Sequence, residues 1–139
     1  MPYTFAIDSD KGVLFVWAEG AISDREAIAV ARDIASAPRY DPGFRSFADF
    51  TLVTRNGLTA ESLGQIGTIL KPVSGPRRAA VVGNVTNFGV CRMYQTYCEI
   101  NGVSGPEIFW SRREALAYLN EGAHPEKVVQ LDLTDTVIA

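Results

Sequence analysis

The sequence predicts a single α/β domain in which helices pack on a mixed β-sheet. Residues 3–7 and 13–19 are strand-like runs separated by the polar turn 8–12, which is the pattern of a β-hairpin. Residues 79–82 are apolar without alternation, as in a parallel strand covered on both faces, and apolar side chains recur at helical spacing over residues 88–100. A first helix and three strand-and-helix units follow the hairpin, which predicts the element order ββαβαβαβα.

The second strand of the hairpin is predicted to lie further inside the sheet than the first. Residues 13–19 are apolar on both faces, whereas residues 3–7 alternate. We expect Trp17, in the second strand, to belong to the core rather than to a ligand surface. Residues 44–50 and 107–110 are the third and the last predicted strands.

Capping residues mark where the predicted helices begin. Ser23 and Glu26 form a capping box for the first helix, and Ser111 and Glu114 form one for the last. The two middle helices are expected to start after Thr59 and after the polar turn 83–87, and the four helices end before Pro38, at Lys71, at Ile100 and before Gly122.

The second helix contains two glycines, Gly64 and Gly67, in its interior. Each costs roughly 1 kcal/mol relative to alanine, so another interaction should offset them. Close packing of the backbone against a neighbouring element is one explanation. A helix that is loosened so that it shifts on binding a partner is the other.

We assign residues 1–122 to one domain and residues 123–139 to a C-terminal arm or extra strand, since 139 residues suffice for one core. The arm is too apolar for a solvated tail, and we expect it to cover the sheet edge or a partner subunit in a homodimer. The apolar residues of the arm are Val128, Val129, Leu131, Leu133, Val137 and Ile138.

Composition and charge exclude several classes of protein. Hydrophobic residues make up 47% of the chain and charged residues 21%, which excludes a disordered or fibrous protein. No apolar run reaches the roughly 20 residues of a membrane span, and no signal peptide is apparent, so we expect a cytoplasmic protein. Residues 121–139 carry the net charge of −3, and residues 1–120 are neutral, which gives no electrostatic reason to bind nucleic acid.

Patterns of catalytic or metal-binding residues are missing from the sequence. The single histidine, His124, lies in the arm, on a different element from Ser111 and from the cysteines. Cys91 and Cys98 are seven residues apart on one helix, too far for a disulfide, and we interpret them as buried reduced thiols, with a redox-sensitive thiol as the alternative. We expect no catalytic residue, no metal and no cofactor.

The later part of the chain resembles a known fold family. The matching residues are Phe88-Gly89 and Arg92-Met93-Tyr94 in the third helix, and residues 107–110 and 113–119 in the last strand and helix. With the hairpin and the βα units, they resemble the STAS-like fold of sulfate-transporter cytoplasmic domains and anti-sigma-factor antagonists. The chain looks most like the small stand-alone SpoIIAA-like proteins, and the resemblance covers residues 3–120. It implies a non-enzymatic binding or regulatory module.

The start of the second helix departs from that family. Anti-sigma-factor antagonists carry an Asp-Ser-Ser-Gly-like sequence there, in which a serine is phosphorylated, whereas this chain has Asn56-Gly57-Leu58-Thr59. Thr59 is at a helix start that favours anions and is a conceivable phosphate acceptor. Its simpler interpretation is an N-cap.

We expect the ligand or partner to bind at the edge where the parallel strands end, because helix N-termini meet there. A protein partner or a small anionic or lipid-like molecule fits this edge, with Phe88, Met93 and Trp110 as apolar contacts. The alternative function is an enzyme that uses the same loops. The candidate binding residues are Thr54, Arg55, Thr59, Asn84, Asn87, Arg92, Ser111 and Arg112.

Overall fold

The computed structural model describes residues 2–131 of the chain and confirms the order ββαβαβαβα. Short 3₁₀ turns lie at Lys71–Val73 and Pro125–Lys127. The strands are β1 (Tyr3–Asp8), β2 (Val13–Ile22), β3 (Arg45–Asn56), β4 (Arg78–Val81) and β5 (Glu107–Phe109), and the helices are α1 (Asp24–Ser36), α2 (Ala60–Leu70), α3 (Val85–Ile100) and α4 (Arg112–Asn120).

The five strands form one mixed sheet in the order β1-β2-β3-β4-β5. β1 pairs with β2 in the antiparallel sense, and the other neighbouring pairs are parallel. From β2 to β5 the chain moves each time to the neighbouring strand on the same side, through α1, α2 and α3. Since such parallel connections are right-handed, these three helices lie on one face of the sheet. α4 packs on the opposite face, against β3, β4 and β5.

Each helix begins at a capping side chain. Ser23, Thr59, Asn84 and Ser111 each accept a hydrogen bond from the backbone N–H three residues further on. The cap at Asn84 starts α3 at Val85, a few residues before the predicted apolar stripe. Within residues 2–131, no helix is long and apolar enough to span a bilayer.

β3 is longer than the sequence predicts, because pairing with β2 extends it beyond residue 50. Leu52 and Val53 lie opposite Glu19 and Gly20, and the pairing continues to Asn56. Two register shifts between β2 and β3, each with one extra residue on β3, accompany this extension. Gly20 borders the second shift with a positive φ of 69°, a conformation that favours glycine. Thr54 and Arg55 are therefore strand residues, not loop residues.

The prediction that Trp17 belongs to the core is wrong. Its side chain is 38% exposed and stacks on Phe15, with ring centroids 5.8 Å apart, on the face of the sheet that carries α4. α4 packs over β3 to β5 and leaves the end of β2 uncovered. The other prediction for this strand is confirmed, since β2 lies between two neighbours and β1 is at the edge.

The described part of the C-terminal arm packs on its own domain. Val129 is buried beside Phe47 and Leu119 on the α4 face, and Leu131 packs against the same cluster. The Asn120 amide exchanges two hydrogen bonds of 2.8 Å with the backbone of Val129. Residues 128–131 are not a strand, and residues 132–139 of the predicted arm or extra strand lie outside the described residues.

The homodimer stays a prediction, and it now concerns residues beyond Leu131, because the arm up to that point has its own packing partners. We expect light scattering to give the mass of a dimer for the full chain and of a monomer for a chain that ends at Leu131. A monomer in both cases contradicts the prediction.

Candidate functional site

A cavity of about 160 Å³ lies between the sheet and the helices α1, α2 and α3. Its floor is formed by short side chains on neighbouring strands, Ser46 and Ala48 on β3 and Ala80 on β4, which leave space below the helices. Aliphatic side chains of the three helices form much of its wall, among them Val30, Ile34, Leu63, Ile66 and Val90. The cavity therefore suits an apolar molecule.

The largest polar group at the cavity is Arg78, the first residue of β4. Its side chain is only 9% exposed, and it lies opposite Ser46 in the sheet register. Within the described chain, the guanidinium donates one hydrogen bond, from Nη1 to the backbone oxygen of Ser104 at 2.7 Å. The guanidinium carbon lies 5.7 Å from the centroid of the Tyr94 ring.

Arg78 remains a cation despite its burial. Burial acts to lower the pKa of Arg78, but Tyr94, Cys98 and Tyr40 nearby outweigh that effect, and the pKa is raised. Burial also raises the pKa of Tyr94, against the influence of the Arg78 charge, so the phenol stays protonated at neutral pH. The cavity thus combines an apolar wall with one positive charge.

Asn84 and Asn87, two of the predicted binding residues, are occupied by hydrogen bonds within the protein. Asn84 accepts from the backbone N–H of Asn87 at 2.8 Å and caps α3. The buried Asn87 amide donates to the Val53 oxygen at 3.1 Å and accepts from Asn56 at 3.1 Å. Both side chains join the end of β3 to the start of α3, and Asn87 lines one side of the cavity.

Four further predicted residues lie in separate places. Thr59 caps α2 by accepting from Ser62 N at 3.1 Å, and Thr54 and Arg55 are exposed near the end of β3. Arg92 is exposed on α3 and donates to the Gln95 side chain. These four residues are not brought together around one pocket, and their part in binding stays a prediction.

Ser111 and Arg112 lie on the opposite face of the sheet. Ser111 caps α4 by accepting from Glu114 N at 3.2 Å. The Arg112 Nε donates to Asp49 Oδ2 at 2.5 Å, and its Nη2 donates to the Thr51 hydroxyl. Arg112, at the start of α4, is therefore paired with an acidic group of the same chain.

A second cavity, of about 300 Å³, lies beside this ion pair. Trp17, Leu52 and Glu19 line it together with Asp49 and Arg112. Both charged groups are already satisfied by each other and by Thr51, so the cavity offers no free charge from that pair. Among residues 2–131, no cluster of His, Cys, Asp or Glu side chains has the arrangement of a metal site.

The antiparallel hairpin, the three parallel crossovers and the division of helices between the two faces define a SpoIIAA-like α/β fold. The structure is similar to the crystal structure of an uncharacterized protein from the DUF3478 family with a SpoIIAA-like fold, from Shewanella loihica PV-4. The TM-score is 0.57 with 17% sequence identity, over 84% of this chain and 93% of that chain. At this identity the likeness shows the fold alone. No family model and no curated protein sequence matches the chain.

Neither the cavity nor the place of Arg78 in it was predicted from the sequence. The signal available was an arginine at the first position of an otherwise apolar strand, followed by the two small residues Ala79 and Ala80. A charged residue at that position faces either solvent or the core. Only the packing of α3, which brings Tyr94 over the sheet, shows that Arg78 faces the core.

Proposed function

We propose that the protein is a binding or regulatory module that holds a small apolar or amphipathic molecule in the cavity under α1, α2 and α3, without changing it chemically. The observation that carries the proposal is the apolar cavity itself. The likeness to a SpoIIAA-like protein supports the fold but does not identify a ligand.

The size of the cavity supports a ligand. Protein interiors are close-packed, and an empty apolar cavity costs about 24 cal/mol per Å³. For 160 Å³ of closed and empty space this is roughly 4 kcal/mol, which is an upper bound for a cavity that is partly open and is large beside the about 5–15 kcal/mol by which a domain is stable. A cavity of about 150 Å³ lined by aliphatic side chains accepts benzene, so one ring or a chain of about six to eight carbons suits this space.

The side chains around the cavity support binding rather than turnover. Burial raises the pKa of the Cys91 thiol in the cavity wall to about 12, so it is protonated at neutral pH and is a poor nucleophile. His124 does not line the cavity, and its Nδ1 accepts from the backbone N–H of Glu126. An enzyme built on the strand-edge loops remains the alternative function.

Replacement of Ala48 by leucine tests this proposal, because Ala48 lies on the cavity floor. The larger side chain is expected to occupy the space and to weaken binding of octan-1-ol about tenfold or more, as measured by titration calorimetry. The melting temperature should stay the same or rise, since each buried CH₂ in a void contributes about 0.8 kcal/mol.

The matched control is Ala117→Leu, an exposed position on α4 that lies outside the cavity lining. It should leave octan-1-ol binding unchanged. If Ala48→Leu binds octan-1-ol as tightly as the parent, the cavity is not the ligand site. Solvent extraction of the purified protein followed by mass spectrometry shows independently whether a small molecule copurifies.

A further inference from the structure

The structure buries a cation at the cavity without an acidic partner. Within residues 2–131 there are two ion pairs, Arg77–Glu121 and Arg112–Asp49, and Arg78 takes part in neither. A guanidinium carries five N–H donors, and the one hydrogen bond to Ser104 leaves most of them without a protein acceptor. A buried charge is costly unless it is paired, so an anion bound in the cavity would stabilise the Arg78 cation.

A second buried group beside Arg78 also lacks a partner. The Tyr94 hydroxyl is shielded from solvent and makes no hydrogen bond of good geometry in the described part of the chain, although the Arg78 guanidinium and the Cys98 thiol lie near it. Tyr94 lines the cavity with Arg78, and its ring lies close to the guanidinium. Two donors from different elements, β4 and α3, are therefore available at the same end of an apolar cavity.

We propose that the molecule held in the cavity is a small apolar carboxylic acid, bound as its anion with the carboxylate at Arg78 and Tyr94. This inference rests on the proposed function and names the chemical class of its ligand. The guanidinium donates two parallel hydrogen bonds to the carboxylate, and the Tyr94 hydroxyl donates a third. The apolar body of the acid lies against the aliphatic side chains of the helices.

The charges favour a carboxylate over a phosphate. Arg78 is the one charged side chain among the cavity-lining residues, so it neutralises one negative charge. A phosphate monoester carries close to two charges at neutral pH, and the second would stay buried without a partner. The planar fork of arginine also matches the geometry of a carboxylate.

The experiment compares octanoate with octan-1-ol, which have the same chain length and differ in charge. Titration calorimetry is carried out on the full chain, on Arg78→Met and on Arg77→Met. We expect the parent to bind octanoate about tenfold more tightly than octan-1-ol or better, since hydrogen bonds to charged groups are the stronger ones. Arg78→Met removes this preference and retains octan-1-ol binding.

Arg77→Met is the matched control. Arg77 is the preceding residue, but its guanidinium lies over the Tyr118 ring at 4.2 Å and pairs with Glu121, away from the cavity. It should keep the preference of the parent for octanoate. If Arg77→Met loses the preference as Arg78→Met does, Arg78 is not the anchor.

Tyr94→Phe keeps the test decisive if Arg78→Met does not fold. It removes only the hydroxyl, and we expect it to weaken octanoate several-fold without changing octan-1-ol binding. The carboxylate assignment is overturned if the parent binds both probes equally, or if Tyr94→Phe and Arg78→Met keep the preference of the parent for octanoate. Neither outcome contradicts the proposed function. Binding of neither probe overturns both.

Discussion

Replacing Asp49 with alanine is expected to lower the free energy of unfolding by about 3 kcal/mol. The Asp49 and Arg112 side chains are 9% and 14% exposed, and they are joined at 2.5 Å. Removing the carboxylate leaves the Arg112 cation largely buried, with the Thr51 hydroxyl as its remaining side-chain partner. Removing one partner of a buried pair costs about 3–5 kcal/mol, and the lower figure applies because Arg112 keeps some contact with solvent.

Chemical denaturation of four proteins measures this effect: the parent, Asp49→Ala, Arg112→Ala and the double variant. The double variant should lose less than the sum of the single losses, because neither charge is then left alone. Asp33→Ala, an exposed position on α1, is the control and should change stability by less than about 0.5 kcal/mol. A loss below about 1 kcal/mol for Asp49→Ala shows that the pair is effectively solvated.

Asp49 and Ala48 are neighbours in β3, but their side chains lie on opposite faces of the sheet, because successive side chains in a strand alternate. Asp49 fixes the first turn of α4, whereas Ala48 lies on the floor of the cavity below the other helices. Substitution of Asp49 should therefore change stability without changing octan-1-ol binding in the folded protein. Ala48→Leu should have the reverse pattern.

The elements of the fold could be predicted because their signals are local. The N-caps Ser23, Thr59 and Ser111 lie within three residues of the N–H groups that they satisfy, so the chain shows where these helices begin. The extension of β3 to Asn56 could not be predicted in this way. It depends on pairing with Ala21 and Ile22 of β2, more than thirty positions earlier in the chain.

The charged groups were harder to assign than the helices, because their partners lie far away in the sequence. Arg112 forms an ion pair with Asp49, 63 residues away. Arg78 lies against Tyr94, and its hydrogen-bond acceptor is Ser104. A sequence shows which arginines exist but not which face of the sheet each one reaches, and here Arg112 reaches Asp49 whereas Arg78 lies at the cavity on the opposite face.

The close contact between α2 and α3 explains one of the two glycines in α2, Gly67. The Tyr97 ring of α3 lies against Gly64 and Gly67, and its hydroxyl is 3.0 Å from the Thr68 hydroxyl. A Cβ atom added at Gly67 would lie 2.3 Å from Cε1 of Tyr97, whereas one added at Gly64 would meet the ring at 3.5 Å. Close packing against the Tyr97 ring therefore explains Gly67, whereas the position of Gly64 has room for a methyl group.

Gly67→Ala is expected to lower the free energy of unfolding by about 2 kcal/mol, because moving the Tyr97 ring outweighs the roughly 1 kcal/mol gained in helix propensity. Gly64→Ala is the matched control, and it should raise stability by up to about 1 kcal/mol, since its new methyl group makes an ordinary contact. In a Tyr97→Ala background, the Gly67→Ala change should become stabilising, because the obstructing ring is gone. Denaturation with urea measures all three differences. If Gly67→Ala destabilises the protein as much without the Tyr97 ring as with it, packing against α3 does not explain the glycine.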